Sequence, residues 1–182
     1  GEIIGLHPNL WTLIDRTNHY LFQPLLYQVA TGLLSPADIA MPTRFLLRRQ
    51  RNATVVMMDI DRIDLARREV SGDGQTLTYD YLIVATGARH AYFGHPEWEP
   101  LAPGLKTLED ARRVRHRFLT AFEAAEKSDD PHEQEALLTF VIIGGGPTGV
   151  ELAGVLPTIA RRGMRPDFRR IDPGRARVIL LE

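Results

Sequence analysis

The chain has 182 residues, enough for one good core or for two small or incomplete domains. Its 44% apolar and 25% charged residues are ordinary for a globular protein, and a net charge of −1 gives no electrostatic case for nucleic acid. No apolar run approaches the ~20 residues of a membrane span, and the absence of cysteine removes disulfides, thiolate metal sites and any dithiol relay.

Arginines cluster locally in residues 44–51 and 161–170. Solvated faces account for both clusters more simply than a lipid-facing patch does. The first residue is Gly rather than Met, so the true start is expected upstream. Residues 1–9 carry no clear pattern. Residues 10–14, LWTLI, predict a short apolar strand tipped by Asp15. An acid in that place suits a ribose-binding strand end; a plain turn-forming role for Asp15 is the alternative.

Residues 18–32 are apolar and aromatic, with Pro24 breaking any regular pattern. Residues 43–50 predict a short basic helix. Residues 53–63 read as a strand with which 64–70 can pair. Ser71-Gly72-Asp73-Gly74 is a hairpin turn, and residues 75–78 start the return. Residues 79–85, YDYLIVA, predict a buried strand that completes an antiparallel meander. It ends at Ala85-Thr86-Gly87, a small turn that lets a ligand approach the backbone.

Residues 89–105 are rich in Pro and Gly and read as a linker between two lobes. Thr107 is a helix N-cap with Asp110 as its capping-box partner. The helix is predicted to run to about Lys127, with Ala111, Val114, Phe118, Phe122 and Ala125 on one stripe. Residues 128–132 are predicted as a loop.

Residues 139–154, TFVIIGGGPTGVELAG, organise the rest. Residues 140–143 predict a short buried strand. A helix opens near Thr148. Between them Gly144, Gly146 and Gly149 fit G-x-G-x-x-G: one glycine for the tight turn, one for backbone approach to a pyrophosphate, one for close helix–strand packing. The phosphates would sit over the free N–H groups of the helix start. Residues 178–181 predict a second strand, tipped by Glu182, which would accept from ribose hydroxyls and repel a 2′-phosphate, favouring NADH over NADPH. Glu182 lies 38 positions after Gly144, against the usual ~20. The excess is the basic connection 161–177.

Asp15-Arg16 with NHYLFQPLLYQVATGLLSPADIA, then YDYLIVATGA, LKTLEDA, FVIIGGGPTGVELAG, DFRRIDP and VILLE, in that order, resembles type II NADH dehydrogenase. That family comprises the single-subunit, non-proton-pumping NADH:quinone oxidoreductases. The resemblance spans nearly all of residues 10–182. It implies an α/β flavoprotein fold with two dinucleotide-binding (Rossmann-like) domains, incomplete at both ends and carrying the β-meander. Residues 1–104 would be part of the FAD-binding domain, and residues 105–182 the first part of an inserted NAD-binding domain.

On this resemblance Asp15, with Arg16 beside it, would hold the FAD ribose. Gln23, Pro24 and Leu25 would run beside the flavin ring, and Ala85, Thr86 and Gly87 would border FAD. Gly144, Gly145, Gly146, Pro147, Thr148, Gly149 and Glu182 would hold NADH. Glu151 would lie near the nicotinamide, its alternative being an acid favoured by the dipole of the helix's first turn. No metal and no catalytic acid–base residue is implied. NADH and a quinone would be the substrates, with a homodimer allowed. The resemblance also implies the cytoplasmic, inner face of the plasma membrane in the full-length protein, reached through segments outside this chain. No FAD glycine loop precedes Asp15, so an internal fragment unable to hold FAD tightly by itself is expected. A ferredoxin or rubredoxin reductase and a non-catalytic nucleotide-binding module stay open as alternatives.

Overall fold

The computed structural model describes residues 2–7 as backbone and residues 10–182 in full. In chain order the strands are β1 (Glu2–His7), β2 (Leu10–Asp15), β3 (His19–Leu21), β4 (Ala40–Pro42), β5 (Ala53–Met57), β6 (Ile60–Asp64), β7 (Glu69–Gly72), β8 (Gln75–Thr78), β9 (Tyr81–Ala85), β10 (Thr139–Ile143) and β11 (Arg177–Leu181). The α-helices are α1 (Leu26–Ala30), α2 (Pro36–Ile39), α3 (Thr43–Leu47), α4 (Leu108–Lys127), α5 (Pro131–Leu137) and α6 (Pro147–Thr158). They pack as two units. One holds the described residues up to Leu21 together with Ala40–Arg89; the other holds Phe22–Ile39 with His90–Glu182.

The first unit is built on a four-stranded sheet of order β5-β2-β1-β9. β2 and β5 are parallel, whereas β1 is antiparallel to both β2 and β9. It follows that β2, β5 and β9 all run the same way. Leu13 and Ile14 on β2 are buried. Ile14 joins Met58 and Val70 in a small core, with Val56, Leu77 and Leu82 against it. β6, β7 and β8 form a separate three-stranded antiparallel sheet. Its second turn has two central residues, Asp73 (φ 48°) and Gly74 (φ 73°). Positive φ at both is the type I′ hairpin that the Asp-Gly pair predicts.

Three expectations change here. Residues 53–63 are two strands in different sheets. The break falls after Met58, whose N–H still donates to the Asp15 carbonyl (3.0 Å) as the last rung of the parallel pairing with β2 and whose side chain is buried. The strand 81–85 leaves the meander and pairs with β1, so the meander is β6-β7-β8 alone. Nor is that strand buried: Tyr81, Ile83 and Val84 are 69%, 48% and 55% exposed. Residues 2–7, which carried no clear pattern, form β1.

In the second unit, α4 is the spine. The Thr107 hydroxyl accepts the Asp110 N–H (3.1 Å), and the Asp110 carboxylate accepts the Thr107 N–H (2.9 Å), closing the capping box. Ala111, Phe118, Phe122 and Ala125 are buried and Val114 is half-buried, as the helical stripe predicts. Phe122 is fully buried and meets the rings of Phe118 (5.1 Å), Phe140 (5.6 Å) and Phe168 (5.9 Å). Leu138, Leu156, Ala160, Met164 and Ile171 complete this core.

The expected loop 128–132 gives way at Pro131 to α5. Asp130 caps it by accepting the His132 N–H (2.9 Å), and Pro131 occupies the first turn, where no N–H is needed. β10 and β11 are parallel, Phe140 beside Val178 and Ile143 beside Leu181. β10 is buried on one face only. Phe140 and Ile142 pack on the core, while Val141 and Ile143 are 54% and 70% exposed.

Phe122→Ala should cost about 3–5 kcal/mol, because the site is closed on every side by rings; chemical denaturation of both forms checks this. Burial alone would raise the pKa of Asp110. Hydrogen bonds from Lys106, Thr107 and His90 outweigh it and hold the carboxyl below the ordinary aspartate value. A depressed folded-state pKa gives stability that is present above the unfolded value and lost as pH falls through the folded one. Asp110→Asn should therefore flatten the acid limb of the stability profile below about pH 4, where the unfolded aspartate begins to protonate. An unchanged limb would contradict this.

Candidate nucleotide-binding sites

Thr139 to Gly154 forms the strand–turn–helix its sequence predicts. The turn begins at Gly144 with φ 105°, a conformation that a side chain disfavours, and its N–H donates to the Leu181 carbonyl (2.7 Å). The loop is thereby tied to the end of β11. Gly146 is the N-cap of α6 in an extended conformation (φ −68°), and Pro147 opens the helix. Thr148 and Gly149, in the first turn, have N–H groups with no intrahelical partner.

The three motif glycines do different work. A Cβ at Gly149 would overlap the Gly144 carbonyl oxygen and come to 3.5 Å from Ile142 Cγ2. A Cβ at Gly146 would meet nothing within 4 Å, so this backbone is open to a ligand. Gly145, between them, lies against Glu182: a Cβ there would stand 2.5 Å from the carboxylate Oε2. The acid that follows β11 thus reaches the loop that follows β10, although 36 residues lie between Gly145 and Glu182. Glu151 is exposed on α6, but it lies in the second turn, beyond the first-turn amides, so the dipole alternative offered for it loses its basis.

A second concavity lies in the other unit, at the carboxyl ends of the three co-directional strands. It is an open cleft of about 580 Å³. Arg16 follows β2, Met58 and Asp59 follow β5, and Thr86 and Gly87 follow β9; all five line it. Ligands of open α/β sheets bind outside the carboxyl ends of parallel strands. Gly87 has φ 69° and an open approach, with nothing within 4 Å of where a Cβ would stand.

Asp15 does not line this cleft. It is 8% exposed, and its Oδ1 accepts both the N–H (2.7 Å) and the hydroxyl (2.9 Å) of Thr17. It does serve the turn. Ala85 is the last residue of β9, adjoining the cleft. Gln23, Pro24 and Leu25 form a single 3₁₀ turn in the other unit, where the Gln23 amide donates to the Lys106 carbonyl (3.2 Å). Arg89 and residues 58–63 line the cleft without having been anticipated. The missed signal is the polar break in the apolar run 53–63, which marks a strand end rather than a continuous strand.

Gly149→Ala should destabilise the second unit by about 1–3 kcal/mol, because the added methyl has only backbone to displace. Gly146→Ala, where space is open, should cost less than Gly149→Ala. Denaturation of the two variants in parallel checks the order.

The model of the pyridine nucleotide-disulphide oxidoreductase family matches residues 6–181. The type II NADH:quinone oxidoreductases NdhA and Ndh of Mycobacterium tuberculosis are 53% and 50% identical over 94% and 93% of this chain. The chain spans only 37% and 38% of their lengths. In fold it is similar to the NDH2 of Plasmodium falciparum solved with NADH, with a TM-score of 0.85 at 24% identity, covering 94% of this chain and 36% of that one. The chain therefore belongs to the pyridine nucleotide-disulphide oxidoreductase family.

Proposed function

We propose that this chain carries nucleotide sites of an FAD-dependent type II NADH:quinone oxidoreductase. The observation that supports it best is the Glu182 carboxylate against Gly145, within a glycine turn whose second glycine is open and whose third is closed by backbone. This arrangement fits a dinucleotide whose ribose hydroxyls meet Glu182 and whose pyrophosphate meets the N–H groups at the start of α6. An acid in this place disfavours a 2′-phosphate, which selects NADH over NADPH. Identities of 50% and 53% to NADH:quinone oxidoreductases support the quinone as acceptor.

The cleft lined by Arg16, Met58, Thr86 and Gly87 fits FAD, with a guanidinium for its phosphates and open backbone at Gly87. The redox chemistry is that of the flavin, hydride uptake followed by electron release. This chain's residues bind and orient, and no acid–base residue is required of them. We assign residues 1–104 to the FAD-binding domain and 105–182 to the NADH-binding one, a division by sequence that differs from the packing, in which Phe22–Ile39 and the residues from His90 on belong to the second unit; Asp15 fixes the turn that follows β2. We also assign Glu151 to the neighbourhood of the nicotinamide. The chain has no cysteine, so no dithiol relay resides in it. Among the described residues no helix is long and apolar enough to cross a membrane. Work at the cytoplasmic, inner face of the plasma membrane then calls for attachment by other segments. A homodimer is compatible with this reading.

The test uses the protein purified from its native source with its flavin. Anaerobic NADH should bleach the visible absorption, and a short-chain quinone should restore it. Recovery with rubredoxin or ferredoxin but not with quinone would contradict the proposal. Glu182→Gln in the same protein should narrow the NADH-to-NADPH ratio of kcat/KM by roughly tenfold. An unchanged ratio would remove Glu182 from cofactor selection.

A further inference from the structure

The segment returning the chain from α6 to β11 is long, basic and mostly irregular. It has one π turn, Ile159–Met164, and one 3₁₀ turn, Pro173–Arg175. Between them the backbone N–H groups of residues 169–171 belong to no helix or strand, so they need other acceptors. One side chain serves all three. Glu126, near the end of α4, accepts the Arg169 N–H (3.0 Å) and the Arg170 N–H (2.9 Å) on Oε1, and the Ile171 N–H (3.0 Å) on Oε2.

Burial raises the pKa of Glu126, but the three backbone bonds and the charge of Arg170 outweigh it and hold the carboxyl below its usual value. The ion pairs around it, Arg170 with Asp129, Arg165 with Asp172 (3.4 Å) and Arg177 with Glu135 (3.0 Å), join largely exposed side chains. Such pairs contribute little individually. The Glu126 bonds sit where the chain enters the core: Ile171 is 9% exposed and Pro173 is fully buried. Six residues after Ile171, β11 begins, and from there it runs in fixed register with β10 to the loop contact at Glu182.

We propose that Glu126 is a positioning residue for nucleotide binding. By holding the backbone of residues 169–171 it sets how far β11 travels along β10, and so keeps the Glu182 carboxylate against Gly145. The hydrogen bonds of Glu126 go to residues 169–171 and not to the loop Gly144–Gly149. The proposal rests on the reading of Gly144–Gly149 and Glu182 as an NADH site.

The experiment compares the unaltered protein, as it occurs in its native source, with its Glu126→Gln, Glu182→Gln and double variants. NADH affinity is read by fluorescence titration, with NADPH in parallel. Glutamine at 126 keeps the side-chain length but replaces one acceptor by a donor. Glu126→Gln should weaken NADH binding roughly tenfold, the worth of a charged hydrogen-bond set, and narrow the preference over NADPH. The double variant should bind NADH no more weakly than Glu182→Gln alone, because both changes act through one carboxylate. Unchanged affinity in Glu126→Gln, or full additivity in the double variant, would overturn the proposal.

A measurement on the unaltered native protein covers the case in which the variant does not fold. Saturating NADH should slow hydrogen exchange at the Arg169, Arg170 and Ile171 amides, because the coupling between two sites is reciprocal. Binding without that protection would overturn the proposal and leave the NADH reading standing. No NADH binding by the unaltered native protein would contradict the NADH reading itself, and the proposal with it.

Discussion

The contact of α6 with its own loop constrains everything around it. Gly149 lies so close to the Gly144 carbonyl that no side chain fits between them. That closeness brings the start of α6 down onto the end of β10, so the first-turn amides face the space beside Gly146. Gly144 is in turn tied to Leu181 by its N–H, which binds the loop to β11. A glycine turn, a helix start and an acid on the neighbouring strand are therefore one piece. The specificity of a dinucleotide site requires that, because phosphate and ribose contacts must be made together.

The rest of the second unit holds this piece in place. Phe118, Phe122, Phe140 and Phe168 lock α4 to β10 and to the return segment. α4 is fixed at its start by the capping box and, near its end, Glu126 gathers three backbone amides of that segment. The first unit follows the same logic with different parts. Three co-directional strands end together, and the residues that follow them line one cleft. The intervening β1 runs the other way, so the sheet is mixed while the cleft side is uniform.

Most of the second unit was legible in the sequence, because its signals are local. Thr107 and Asp110 announce α4, and the three glycines announce the loop. The return of β11 to Gly145 was expected only from its apolar run and terminal acid, since Glu126 is separated from its partners by more than 40 positions. Nothing in the pattern of an α4 glutamate marks it as a ligand of a distant backbone. The first unit was less legible because its four-stranded sheet pairs strands far apart in sequence. Ala53–Met57 and Ile60–Asp64 look like one strand, but the parallel pairing with β2 ends at Met58 and Ile60–Asp64 joins another sheet. The Tyr81–Ala85 run is as apolar as a buried strand, yet all of it but the half-buried Leu82 is exposed. An apolar run reports what a strand can bury, not what covers it.

The central claim is that the loop Gly144–Gly149 and Glu182 form one NADH site. Mapping backbone amide chemical shifts while NADH is added tests it most directly. The account predicts the largest changes at Gly145, Gly146, Thr148, Gly149 and Glu182. Changes confined to Arg16, Thr86 and Gly87, or none anywhere, would contradict it.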